Sequence, residues 1–590
     1  MDPEIKTYLI LLIISLILMI GGGAFASYVN SDFGFVHVYQ IAIYGDHGAV
    51  ISAMLYLPST ASTKHPAPAI LAVNGWNNQK EFMQNVAIEL ARRGYVVLIM
   101  DPYGHGLSGG SIGLAIAYGP YGTVSALKYL TSLPMVNASD IGLVGHSMGG
   151  LAITEAALAL PNDYRSMFFM ESTPFWYGFY SSALVSHLKN VAIAFGLYEE
   201  LGPLMMHEPT GFDAPKSPLL MQFFNTSQPV VPNEVYGSIN DGTARILYQP
   251  PITHAQATDD PTEIAEVIQW FYQTLGAPIY ISPTNQIWQW KVVSTGLALF
   301  GAFIFLFATG ALLLRTSVFR SLVRPIPDYK GFTGIGWWIN AVIATALGPA
   351  LYIWTNMFVW SHLTSFVSVV FPQVQSDVYM FWALVVGGIT IVLLIMDHLV
   401  FLRKKGASAI NYGLSWGDRK TTIINIIKAF VFAVIVLSTL YVILDFVFYT
   451  FNVDFRLWIW ALESMTFRRF IYFWAYLLPF AILLVPLTVL FSGFMRPKAG
   501  KISTGAEMAI NSVVLTLGII IWLIIVYGEI FTDHAPNLSV LPIYMIPFVI
   551  LWPLVASLIT FYFRKTGNAY VGMFLVTMFI VWYVVAFDSF

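Results

Sequence analysis

The stretch that decides the fold of the polar part of the chain is IGLVGHSMGG, residues 141–150. Its first four residues form a short apolar run, which is typical of a buried strand. Gly145 and Gly149 flank Ser147, and small or apolar residues follow. Glycine permits close backbone approach and strained turns that other residues avoid. The pattern therefore predicts a buried strand, a tight turn with Ser147 at its tip, and a helix.

The spacing G-x-S-x-G in this strand–turn–helix context is that of a nucleophile elbow. A serine exposed on such a turn can attack a carbonyl carbon, provided that a neighbouring base takes its proton. We therefore predict that Ser147 is a catalytic nucleophile. The alternative is a glycine-rich turn without chemistry.

Strand-like and helix-like segments alternate around the elbow over residues 30–289. Two segments with alternating apolar and polar residues predict an antiparallel hairpin, and short apolar runs predict buried strands. The predicted strands are 36–43, 50–57, 68–73, 95–100, 141–144, 167–170 and 244–248. Helices predicted between them, at about 80–93, 119–133 and from Ser147 onward, indicate a mostly parallel sheet with helices on both faces.

This organisation resembles the α/β-hydrolase superfamily over about residues 36–276. The resemblance is carried, in chain order, by Asn74-Gly75-Trp76 after the third strand, the D-x-x-G-x-G-x-S loop 101–108 after the fourth, the elbow at Ser147 after the fifth, and His254 after the last. It implies a serine hydrolase with a Ser–His–acid triad. It also implies an oxyanion hole built from the backbone N–H groups of Met148 and Trp76.

The general base has to be chosen among eleven histidines by position. His146 adjoins the serine, but the elbow turns neighbouring side chains away from it. His105 lies in the loop after the fourth strand, where a structural role is expected. His254 alone falls in the loop after the final strand, so we predict it as the base.

The third triad member is harder to place. In the family it usually follows strand seven, and residues 225–232 fit that frame but carry Gln228. A neutral amide can orient an imidazole but cannot stabilise an imidazolium by charge. Glu171, at the end of the sixth strand, is the leading candidate. The alternatives are another carboxylate (Asp241, Asp259 or Asp260) or no acid at all, which would leave a weakened enzyme or a binding domain.

A long insertion, at about residues 174–215, is predicted between the sixth and seventh strands. It is rich in aromatic residues and methionine and carries little charge. Three interpretations stay open: a roof over an apolar acyl pocket, a segment dipping into a bilayer interface, or an ordinary cap packed on the core.

The composition indicates a membrane protein. Hydrophobic residues make up 57% of the 590 residues and charged residues 10%, against roughly 25% charged in soluble domains. The net charge of −3 does not favour binding to nucleic acid, which requires an excess of basic residues. Cysteine is absent, which excludes thiolate catalysis and cysteine-ligated metals. We expect no metal and no cofactor.

Nine apolar stretches are long enough to cross a bilayer. The first, residues 8–29, is interpreted as an uncleaved anchor rather than a signal peptide because its apolar run is long. The other eight are predicted at about 292–314, 333–358, 379–400, 421–449, 470–494, 507–531, 540–562 and 569–587.

The distribution of basic residues sets the orientation of these spans. One set of alternate loops carries 15 Lys and Arg residues and the opposite set carries 4, the polar stretch excluded. Basic loops face the cytoplasm. The sequence thus predicts a multi-pass plasma-membrane protein with a cytoplasmic N-terminus. Its parts are an anchor (1–29), an extracytoplasmic hydrolase domain (30–289) and an eight-span domain (290–590) whose end also lies outside.

The function predicted from these features is a membrane-bound serine hydrolase of the esterase, lipase or thioesterase kind. Its partners would be the lipid bilayer and a small-molecule or lipid ester substrate. An acyltransferase would use the same serine chemistry. Two alternatives belong to other classes: a transporter-like protein whose outer domain binds or processes the substrate, and a catalytically inactive receptor. The sequence predicts no oligomeric state.

Overall fold

The computed structural model describes residues 2–45, 48–112, 121–176, 182–362, 369–534 and 542–590. Within them the chain forms a sheet domain and a helical domain. Parts of four predicted features lie outside the described residues: the turn of the first hairpin, the start of the helix at 119, residues 177–181 of the insertion, and the first two residues of the span predicted at 540–562.

The sheet domain contains eight strands in the order β1-β2-β4-β3-β5-β6-β7-β8. The strands are β1 Val36–Tyr44, β2 Val50–Pro58, β3 Ala67–Val73, β4 Val96–Met100, β5 Val136–His146, β6 Ser166–Met170, β7 Val191–Ala194 and β8 Arg245–Tyr248. β2 pairs antiparallel with β1 and β4, and all the other pairs are parallel. The predicted hairpin and mostly parallel sheet are confirmed.

Helices cover both faces of this sheet. Because successive side chains of a strand point to opposite faces, Leu143 and Val144 of β5 enter two different hydrophobic clusters. The cluster around Leu143 includes residues of helices Thr123–Ser132 and Met148–Ala159. The cluster around Val144 includes residues of helices Gln84–Ala91 and Pro261–Leu275.

The structure differs from the sequence prediction at the seventh strand. β7 is the four-residue run VAIA, and it lies inside the predicted insertion of 174–215. Residues 225–232, taken as the segment after strand seven, belong instead to a long connection between β7 and β8. That connection contains the short helices Gly202–Met205 and Pro218–Phe223. A strand of four residues inside an aromatic segment has too weak a pattern to stand out.

The described residues contain nine helices long and apolar enough to cross a membrane, in the predicted order. They are Pro3–Asn30, Trp288–Leu313, Ile335–His362, Val374–Lys405, Arg419–Phe451, Phe467–Phe494, Thr504–Phe531, Pro542–Thr566 and Tyr570–Phe587. A small hairpin, β9 Phe455–Leu457 and β10 Trp460–Leu462, joins the fifth and sixth spans. Large apolar side chains such as Ile17, Ile335 and Ile524 are exposed on the outer helix faces. Such surface is compatible with lipid rather than water.

The basic loops predicted to be cytoplasmic come together at one end of the helical domain. The Arg324 guanidinium donates to the Gly567 carbonyl, 3.0 Å away. Arg496 donates to the carbonyls of Pro327 (3.0 Å) and Asn411 (3.1 Å). These contacts join the loops that follow the second, fourth, sixth and eighth spans.

The opposite end of the helical domain lies against the loops that follow β3 and β4. Buried Arg469, at the start of the sixth span, donates to the carbonyls of Gly104 and Gly106. Ser589 donates its hydroxyl to Asn77 Oδ1 at 2.8 Å and accepts the Trp76 indole N–H at 2.7 Å. The carboxyl ends of the parallel strands therefore face the membrane-spanning half.

Candidate active site

Ser147 lies at the sharp turn between β5 and helix Met148–Ala159, with a backbone φ of +54°. Positive φ is strained for a residue with a side chain. A Cβ on Gly145 would lie 2.3 Å from the Gly149 carbonyl oxygen, and one on Gly149 would lie 2.2 Å from that of Val73. Both glycines of the motif are therefore required by backbone crowding, as the sequence predicted.

His254 opens a short helical turn, His254–Asp259, directly after β8. Thr253 and Gln256 form a capping box around the start of this turn and fix its direction. The His254 ring is buried, and its Nε2 lies 2.8 Å from Ser147 Oγ. The structure thus brings the two predicted residues into the contact that a serine and its base require.

The carboxylate on the other side of this ring belongs to Glu199, which the sequence analysis did not identify. Its two oxygens lie 2.9 and 3.0 Å from Nδ1 of His254, and one of them accepts the Leu201 N–H at 2.7 Å. Glu199 follows β7, where the superfamily usually carries its acid. Recognising the run VAIA as a strand would have pointed to it.

Glu171, the predicted acid, does not contact the histidine ring. Its carboxylate accepts the backbone N–H of Gly196 at 2.8 and 2.9 Å. The reason is the strand order, in which β7 separates β6 from β8. Since neighbouring strands are about 4.8 Å apart, the carboxyl end of β7 is one strand closer to the loop that carries His254. The prediction of Glu171 as the residue that orients His254 is therefore corrected to Glu199.

The other candidate acids have different partners. Asp241 and Gln228 lie in exposed loops. Asp259 accepts a hydrogen bond from the Asn85 side chain at 3.2 Å. Asp260 caps helix Pro261–Leu275 and accepts the N–H groups of Thr262 and Glu263.

The pKa values of Glu171 and Glu199 are shifted in opposite directions. Burial, together with the charges of Glu263 and Glu199, raises the pKa of Glu171 well above its usual value. Burial alone would also raise the pKa of Glu199, but His254 and a hydrogen bond from Glu171 hold it below the usual value. These opposite shifts favour the protonated form of Glu171 and the charged form of Glu199. Burial alone would lower the pKa of His254, but the Glu199 carboxylate raises it.

The two neighbouring histidines are not placed to act as the base. Nε2 of His146 lies 3.2 Å from the His254 carbonyl oxygen, and burial lowers the pKa of His146 to about 3. His105 directs Nδ1 to the Tyr103 carbonyl oxygen at 3.0 Å, and burial lowers its pKa to about 4. Both rings are structural and neutral at ordinary pH.

The two residues predicted to donate to the oxyanion, Met148 and Trp76, lie in segments next to Ser147. Met148 is the first residue of its helix, where backbone N–H groups lack intrahelical partners and the helix dipole favours negative charge. The loop with Trp76 packs closely, since a Cβ on Gly75 would lie 2.8 Å from Ser147 Cβ. The Trp76 indole contacts Trp360 edge to face at 5.4 Å. The backbone roles of Met148 and Trp76 stay predictions.

Side chains from the membrane-spanning half support the loop that carries His254. Trp458 donates its indole N–H to the Ala255 carbonyl at 2.6 Å. One Glu200 oxygen accepts the His254 backbone N–H at 2.7 Å, and the other accepts the Tyr527 hydroxyl at 2.7 Å. Burial and the Glu199 charge raise the pKa of Glu200 to about 7. The sequence carries no signal for the contacts of Trp458 and Tyr527, because each joins residues more than 200 positions apart.

Comparison with known proteins gives one family match and several similar solved structures. Residues 64–197 match the model of a family described as serine aminopeptidase, S33, and no curated protein matches the chain. Similar solved structures include a dienelactone hydrolase from Anabaena variabilis (16% identity, 41% of this chain and 99% of that one, TM-score 0.29). They also include an esterase from Pyrococcus furiosus (16%, 42% and 96%, 0.30) and the esterase Est1E of Butyrivibrio proteoclasticus with ferulic acid bound (16%, 40% and 96%, 0.29). The strand order, the turn at Ser147 and the family match over residues 64–197 identify the sheet domain as an α/β hydrolase fold.

Proposed function

We propose that the protein is a membrane-bound serine hydrolase that cleaves a carboxylic ester or thioester through an acyl-enzyme on Ser147. One observation carries the proposal: an unbroken line of contacts from Ser147 Oγ to His254 Nε2, and from His254 Nδ1 to Glu199. A serine hydroxyl needs this arrangement to become a nucleophile.

The proposed reaction has two halves. Ser147 Oγ attacks the substrate carbonyl while His254 Nε2 takes the hydroxyl proton, and Glu199 stabilises the resulting imidazolium. The backbone N–H groups of Met148 and Trp76 would stabilise the oxyanion. His254 returns the proton to the departing alcohol or thiol. Water, activated by His254 in the same way, then releases the acid and restores Ser147.

The proposed location of the site is the extracytoplasmic face of the plasma membrane. It is supported by the basic loops, which meet at the end of the spans remote from the sheet domain and favour the cytoplasm. The absence of cysteine offers a direct test. A cysteine at exposed Lys64 should react with an impermeant maleimide on intact cells, and one at exposed Lys404 should react only after lysis. The reverse pattern would contradict this orientation.

The inactive-receptor alternative rests on Gln228 in the acid position, and Glu199 beside His254 removes that reason. The transporter alternative rests on the number of spans. In a hydrolase, the membrane half would support the loop that carries His254. Trp458 contacts this loop directly, and Tyr527 contacts it through Glu200. The proposal therefore assigns both halves of the chain to one reaction.

The experiment is hydrolysis of p-nitrophenyl acetate by the purified full-length protein in detergent. Wild type should turn over, and Ser147→Ala and His254→Ala should each lose at least about a thousandfold in kcat. Aminoacyl p-nitroanilides test the peptidase activity named by the matched family. Turnover of anilides but not esters would contradict the ester proposal, and turnover that survives Ser147→Ala would contradict the nucleophile.

A further inference from the structure

An apolar groove of about 500 Å³ runs between the sheet domain and the seventh span, Thr504–Phe531. Thr253 and Gln256, which flank His254 in the chain, form its polar end. The rest of its lining comes mainly from the membrane half and includes Trp458, Leu523, Tyr527 and Phe531. The groove thus extends from the loop of the predicted base onto the surface of a membrane-spanning helix.

The groove wall contacts the catalytic loop. Trp458 donates to the Ala255 carbonyl, and Tyr527 donates to Glu200, which in turn accepts the His254 N–H. Trp458 therefore contacts the residue after His254, and Tyr527 is linked to the His254 backbone through Glu200.

The open side of the groove is apolar. Ile524 and Phe531 of its lining are 67% and 50% exposed, and both lie on the seventh span. On a span these side chains face lipid, which is compatible with apolar surface. Burial on this side would not stabilise a small water-soluble ester. An acyl or alkyl chain would gain hydrophobic free energy from burial there.

We propose that this groove binds the hydrocarbon chain of a lipid ester that enters sideways from the bilayer, with its polar head directed to the loop of His254. The inference rests on the proposed hydrolase function and specifies its substrate class. It predicts that the enzyme prefers long-chain esters, and that blocking the groove removes this preference without harming the chemistry.

Gly528 offers a clean way to block the groove. It lines the groove, and a Cβ built on it meets no other group within 4 Å. Gly528→Phe therefore fills the space without backbone strain. Gly388, on the fourth span, has equally open surroundings. Gly388→Phe places the same ring on another span, away from the groove, and is the matched control.

The experiment compares kcat/KM for p-nitrophenyl acetate and p-nitrophenyl laurate in nanodiscs. Wild type and Gly388→Phe should prefer laurate by at least about tenfold. Gly528→Phe should lose most of that preference and keep the acetate value within about twofold. Unchanged laurate hydrolysis in Gly528→Phe would overturn the groove proposal, as would a wild type without chain-length preference. A wild type inactive on both esters would instead overturn the proposed function.

A binding measurement separates the groove from turnover altogether. The Ser147→Ala variant is mixed with a long-chain ester that carries a diazirine in its chain, irradiated and mapped by mass spectrometry. Labels should fall on residues 523–531, and Gly528→Phe in the same background should remove them. Labels spread evenly over the lipid-facing spans would contradict a specific groove.

Discussion

The Glu199 carboxylate lies 2.9 Å from Nδ1 of His254, on the opposite side of the ring from Ser147. Glu171 lies one strand further away and holds the Gly196 N–H instead. The two glutamates are neighbours, yet the pKa of one is lowered and that of the other is raised. They therefore have different roles, which substitutions can separate.

Glu199→Gln should lower kcat by about 10² to 10⁴, because an amide cannot stabilise the imidazolium by charge. Glu171→Gln should stay within about tenfold of wild type, since the amide N–H₂ can still donate to Glu199. Hydrolysis of p-nitrophenyl acetate measures both. If Glu171→Gln were as inactive as Glu199→Gln, the assignment of Glu199 as the orienting acid would fail.

The pH dependence of kcat/KM should report His254. The protonated ring cannot accept the serine proton, so activity should fall as the pH drops through the His254 pKa. Because Glu199 raises that pKa, the midpoint should lie above about 6.5, the ordinary value for histidine. In Glu199→Gln the midpoint should move to lower pH. A midpoint that does not move would show that Glu199 does not charge-stabilise the ring.

Tyr527→Phe should lower kcat for p-nitrophenyl acetate by about fivefold, which corresponds to one lost hydrogen bond of about 1 kcal/mol. The variant removes only the hydroxyl that holds Glu200, and KM should change little because the acetate does not need the groove. Tyr449→Phe, at an exposed tyrosine of the fifth span, is the control. Equal effects of the two changes would argue against a specific role of Tyr527.

Arg469→Ala should destabilise the protein by about 3 kcal/mol, since it leaves the Gly104, Gly106 and Asp588 carbonyls without their charged donor. The adjacent Arg468 is exposed, so Arg468→Ala should cost much less. Melting temperatures in detergent compare the two. A larger drop for Arg468→Ala would contradict the importance of the buried contact between the domains.

Local patterns predicted much of this molecule. The nine spans and seven of the eight strands could be placed because apolar length and alternation are local properties. The elbow could be placed because its glycines are required by local backbone crowding, as where Gly149 packs against Val73.

The features that escaped prediction are those fixed by tertiary structure. β7 is only four residues long, and its burial comes from lying between β6 and β8. Because β7 was not recognised, the acid position was assigned to Gln228. For the same reason, the predicted insertion of 174–215 included a strand of the sheet. The contacts of Trp458 with Ala255 and of Tyr527 with Glu200 join distant parts of the chain, and no spacing along the sequence marks them.

The most direct test of the central claim is the intact mass of the full-length protein after treatment with a fluorophosphonate. Wild type should gain one adduct, located on Ser147 by peptide mapping, and Ser147→Ala should gain none. His254→Ala should react much more slowly, because the serine would have lost its base. An unlabelled wild type, or an adduct that persists in Ser147→Ala, would contradict the account of a serine hydrolase.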